Sequence, residues 1–149
     1  MITKRITYES LFEEGTKVTQ TYYFNMNESE FMEMDAEYTS NTGMGFSDTI
    51  KTIIASEDPI KLFPIMREII HRSIGYRDGE SFMKSEEYWN KFYHSPAYNA
   101  LLQEIMSNDK ANVDFLMGIL PRDTRRKAME AMPSDAAPLS GQGGIITTD

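Results

Sequence analysis

Histidine is the side chain best suited to acid or base work near neutral pH, and this chain of 149 residues has 2, His71 and His94. His71 lies in a helical pattern beside Ile69 and Ile70, and His94 stands directly before Ser95-Pro96. A serine–histidine–acid arrangement around His94 would need a free nucleophile and an orienting group. Ser95 is taken up as a helix cap, and no glycine-flanked nucleophile elbow is present. Both histidines therefore read as structural. Cysteine is absent, which excludes thiolate nucleophiles, disulfides and cysteine-ligated zinc.

Acids occur close together at Glu13-Glu14, Glu28 and Glu30, Glu57-Asp58, and Glu86-Glu87. Each group falls in a turn or a first helical turn, where the helix dipole alone favours acids. Acid catalysis would want two carboxyls in contrasting environments. Asp109 to Asp114 lacks the acids and central glycine of a calcium loop, and no HExxH pair occurs. Thr42-Gly43-Met44-Gly45-Phe46 lacks the third glycine and the preceding strand of a dinucleotide fingerprint. The expectation is a non-enzymatic chain with no catalytic residue, no metal and no cofactor.

Charge narrows the partners. The formal net charge is −8, from 15 Lys plus Arg against 23 Asp plus Glu, so the average field repels phosphate backbones. The basic run Arg122, Arg125, Arg126 and Lys127 has no interleaved aromatics, and no nucleic acid is expected. The start MITKRITYES has no apolar signal region, and no apolar run approaches the ~20 residues that span a bilayer, so no membrane partner is expected either. The 11 methionines suit irregular core gaps and equally an adaptable partner surface.

The elements that position these residues follow from periodicity. Ile2 to Tyr8 alternates strictly and is β-branched, Lys17 to Asn25 is Thr- and Tyr-rich, and Glu13-Glu14-Gly15 supplies a turn between them. The spacing predicts an antiparallel hairpin over 1–26. A lone hairpin is marginal in water, so it must lie on the helices or pair with another chain, which leaves a homo-oligomer open.

Asn27 and Glu30 have capping-box spacing and open a helix over about Glu28 to Tyr38, with Thr39 to Gly45 as a loop. Ser47 or Asp48 caps the next helix. Asp58-Pro59 leads into a third, in which Pro64 demands either a start near it or a bend, and Gly75 closes that helix as a C-cap. Arg77-Asp78-Gly79-Glu80 reads as a turn with Gly79 at positive φ. Ser85-Glu86-Glu87 opens a helix carrying Tyr88, Trp89, Phe92 and Tyr93. Asp123 caps a last helix over 123–132, and the Pro-, Gly- and Ser-rich 133–149 reads as a flexible, disordered tail.

The fold class is therefore α+β: an N-terminal antiparallel β-hairpin packed on a mostly α-helical array, with 1–132 as one globular domain and 27–132 its helical part. Phe92 to Pro121 is a helical hairpin. Ser95-Pro96 starts it, Tyr98, Leu101, Leu102, Ile105 and Met106 form its first stripe, and Val113, Leu116, Met117 and Leu120 form the second beside Phe115. Trp89, Phe92, Tyr98, Phe115 and Pro121 are the candidate partner-binding residues. Large apolar residues at helical spacing usually face inward, so the same aromatics are also candidate core.

Several short motifs recur in a familiar order: Tyr22-Tyr23-Phe24-Asn25, Ser73-Ile74-Gly75, Asp78-Gly79 with Phe82-Met83-Lys84-Ser85, Phe92 with Ser95-Pro96-Ala97-Tyr98, Leu102, and Phe115 leading to Gly118-Ile119-Leu120-Pro121. This order resembles the tail assembly chaperones of long-tailed bacteriophages and prophages of Gram-positive bacteria, over Ile2 to Pro121. The resemblance implies a non-catalytic factor that holds the tape measure protein soluble until tail tube protein polymerises around it. It implies action in the host cytoplasm during infection and absence from the mature virion, and in this family a longer form often arises by frameshifting. The alternative reading is a structural tail completion or connector subunit.

Overall fold

The computed structural model describes residues 1–56, 58–107, 109–121 and 126. Strands β1 (Ile2–Glu9) and β2 (Lys17–Phe24) pair antiparallel from Ile2↔Phe24 to Glu9↔Lys17. Alternation splits the hairpin into two faces. Ile6 is buried and Ile2 and Tyr8 pack on the core, while Thr7 and Thr19 join hydroxyls at 2.8 Å on the other face.

Helix α1 (Glu28–Thr42) opens on the expected capping box: Asn27 Oδ1 accepts the Glu30 N–H at 2.9 Å, and Glu30 Oε1 accepts the Asn27 N–H at 3.0 Å. The helix runs past Tyr38 to Thr42, so most of the segment expected as a loop is helical. Thr39 and Thr42 bond their hydroxyls back to the Asp35 and Tyr38 carbonyls, which satisfies these hydroxyls within the helix. Gly43, at φ 79°, closes it. Helix α2 (Phe46–Ser56) has Ser47 and Asp48 inside its first turn. Its first N–H, on Phe46, is taken by Asp35 Oδ1 of α1 at 2.7 Å, in place of the local cap expected.

A 3₁₀ turn at Pro59–Lys61 feeds α3 (Leu62–Ser73), so Pro64 falls in the first turn, where its missing N–H costs no bond. The expectation for Gly75 is corrected. Ile74 is the extended C-cap, at φ −70° and ψ 137°, and the chain passes directly into β3 (Ile74–Asp78) and β4 (Ser81–Met83). Tyr23↔Gly75 and Phe24↔Ile74 tie β3 to β2, which gives a four-stranded sheet in the order β1-β2-β3-β4. Gly79 makes the tight turn at φ 65°.

Helices α4 (Glu86–Tyr93), α5 (Pro96–Ile105) and α6 (Asp109–Ile119) follow. Ser85 Oγ accepts the Tyr88 N–H at 3.0 Å, and Ser95 Oγ accepts the Ala97 N–H at 3.2 Å with Pro96 behind it, as the sequence predicts. The fold is α+β, with its N-terminal hairpin on a helical array. One cluster of buried residues runs from Ile6 to Leu120, with Phe24 fully enclosed and its ring 6.1 Å from Phe92 and 5.4 Å from Phe115. Met26, Met34 and Met66 fill this core, whereas Met32 and Met83 are exposed. The expected helix over 123–132 (Arg126 aside) and the expected tail over 133–149 lie outside the described residues.

Candidate partner-binding site

The structure gathers Trp89, Phe92 and Tyr98 into one aromatic cluster. Tyr98 stands edge-on to Trp89 at 6.0 Å and to Phe92 at 5.9 Å, and Trp89 is sandwiched between His71 at 4.5 Å and Tyr93 at 5.0 Å. Phe115 is linked to this cluster through Phe24, whose ring contacts both Phe92 and Phe115. Trp89, Phe92, Phe115 and Pro121 are buried, and Tyr98 is half-buried. As placed, these residues hold β2, α4, α5 and α6 together, and Tyr98 alone keeps substantial surface.

Burial has an electrostatic signature here. It pushes the Tyr22 phenol well above the usual range, reinforced by Tyr8, whose hydroxyl shares Gln20 Oε1 with that of Tyr22. Tyr38 is raised by burial and by donating to Glu68 Oε1 at 2.8 Å. Burial likewise raises Tyr88 and Tyr98.

Both histidines are held by neighbouring groups. His71 Nε2 meets the Glu86 carboxylate at 2.8 Å and stacks on Trp89, joining α3 to α4. His94 Nδ1 lies 2.8 Å from the Asn90 carbonyl at the end of α4. Among the described residues no three His, Cys, Asp or Glu side chains converge on a metal-sized site, and no helix is long and apolar enough to cross a membrane.

Exposed apolar side chains lie elsewhere. Leu11 and Phe12, in the hairpin turn, are 70% and 95% exposed. Ile60 and Phe63 are exposed where the 3₁₀ turn enters α3, and Ile50 and Ile53 of α2 are only half-buried. Sequence reasoning passed over both places. A Leu-Phe pair in a turn that should be polar was the available signal for the first. For the second, the pattern offered no signal: Phe63 stands beside the buried Leu62 just as Ile65-Met66 and Ile69-Ile70 stand together in the same helix with both members buried.

A family model described as phage tail assembly chaperone matches residues 1–143. The chain belongs to the phage tail assembly chaperone family. No curated protein and no solved structure matches it. Membership of a chaperone family suggests a non-enzymatic role, and in this chaperone His71 joins α3 to α4 while His94 sits on the end of its own helix. The match takes in the hairpin, β3–β4 and the six helices α1 to α6 of the described residues.

Proposed function

We propose that this chaperone binds the tape measure protein and keeps it soluble during tail tube assembly, without catalysis. It acts in the host cytoplasm, hands its client to the tail tube protein, and is left out of the mature virion. The family match over 1–143 carries this reading. A holdase must show apolar surface to its client, and the exposed Leu11, Phe12, Ile60 and Phe63 supply it without opening the core.

Co-expression with the tape measure protein tests the reading. The expected result is more soluble tape measure protein, recovered together with the chaperone. Failure both to co-purify and to improve solubility overturns it. Recovery of the chain as a stoichiometric component of purified virions would instead make it a structural tail subunit.

A further inference from the structure

We infer that the cleft between the open edge of β2 and helix α4 accepts an extended, acidic segment of a partner protein as an added strand. β3 pairs with β2 only at Tyr23 and Phe24, whereas β1 pairs along the whole of β2. From Lys17 to Tyr22 the second edge of β2 therefore has no strand beside it among the described residues. Alternate backbone N–H and C=O groups along that edge point outward, a run of about 20 Å at roughly 3.3 Å per residue, long enough for about six residues of another chain.

A cleft of about 450 Å³ adjoins this strand, lined on the sheet side by Tyr8 of β1 with Gln20, Thr21 and Tyr22 of β2 and on the helix side by Tyr88, Lys91 and Phe92. Tyr8, Gln20 and Tyr22 share the helix-facing side of the hairpin and Thr21 points the other way, so the cleft spans that face and reaches the strand's edge at Thr21. An open strand edge facing a helix, with side-chain room between them, is the arrangement by which extended peptides are taken up by strand addition.

Charge decides the occupant. Lys91 is exposed, is in no ion pair among the described residues, and is the one charged residue lining the cleft. In a chain of net charge −8, that makes the cleft a local positive point for an acidic side chain. A second copy offering its own β2 would bring KVTQTYYF, which has a lysine and no acid. The aromatic walls from Tyr22, Tyr88 and Phe92 favour apolar or β-branched residues flanking the acid.

The test is an isotope-labelled full chain titrated with a blocked hexapeptide of alternating threonine and valine carrying one central aspartate. Saturable amide shifts confined to Lys17–Tyr22 and α4 are expected. Methylation of alternate peptide nitrogens should abolish binding, because it removes the strand's donors. Lys91→Glu should weaken binding about tenfold and reverse the preference toward a lysine-bearing peptide. Absence of shifts, or equal binding of the methylated peptide, overturns the inference. So do shifts of the same amides on diluting the peptide-free protein, since a second copy would then hold the edge. Tape measure recovery from Lys91→Glu is read separately, so failure of this site and failure of the client reading give different results.

Discussion

The ring of Phe82 lies across Gly75: a Cβ built on Gly75 would stand 2.5 Å from Phe82 Cζ and 2.5 Å from the Met83 carbonyl oxygen. The contact lets β3 turn from β2 to β4 with no side chain between them. Gly75→Ala should therefore destabilise the protein by about 1–3 kcal/mol, and Gly75→Val by more. Shortening the ring with Phe82→Ala should relieve only part of the cost, because the carbonyl oxygen belongs to the backbone. Chemical denaturation of the single and double variants measures this.

Gly75 also shows where sequence reading stops. A glycine after the periodic run His71 to Ile74 has the form of a helix C-cap, and local chemistry cannot tell that from a glycine cleared for a distant ring. The capping box at Asn27, the Ser95-Pro96 start and the hairpin alternation were legible because their partners lie within a few residues or in the neighbouring strand. Strand β4 has only three residues, too few for a period to declare itself. The candidate aromatics were found as a group, but the periodicity that finds a packed face is the same for core and interface, and only burial separates Phe92 from Phe63.

Asp35 is the cap that sequence could not assign. It holds the Phe46 N–H at 2.7 Å from the neighbouring helix, and sequence offered Ser47 or Asp48 instead. Asp35→Ala should lower stability by about 1 kcal/mol and speed amide exchange in the first turn of α2. Asp35→Asn should retain most of the cap. Ser47→Ala should change little, since its N–H and side chain lie inside the helix. Hydrogen exchange at Phe46 and its neighbours distinguishes these outcomes.

Alkaline pH should weaken the fold through its tyrosines. Tyr22 and Tyr38 hold their protons above the usual phenol range, chiefly because burial disfavours the phenolate. Above the unfolded value of about 10, the unfolded chain loses protons that the folded chain keeps, so stability is full below that pH and falls as pH rises through it. Tyr22 is 6% exposed and can contribute at most about 1.4 kcal/mol per pH unit, and the half-buried Tyr38 less. Tyr22→Phe should flatten the decline in a urea-denaturation series at pH 9–12. An unchanged slope would show that Tyr22 ionises normally in the folded protein.

Client binding and core packing should separate between two sets of apolar residues. Phe92 and Phe115 are each 2% exposed, and truncation to alanine should cost about 3–5 kcal/mol and lose tape measure binding only together with the fold. Phe63 and Ile60 are 41% and 70% exposed, so Phe63→Ser and Ile60→Ser should leave the melting temperature within a few degrees of the parent. Their effect should fall on the client, as reduced recovery of tape measure protein on co-expression. Tyr98 lies between these limits, half-buried against Trp89, Phe92 and Tyr93. Tyr98→Phe keeps the ring contacts and removes the hydroxyl, so the variant should fold and isolate any part of client binding that depends on that group. If both serine variants retain the tape measure protein fully while Tyr98→Ala, folded by circular dichroism, does not, the client lies on the aromatic cluster and the α2–α3 corner is discarded as the binding face.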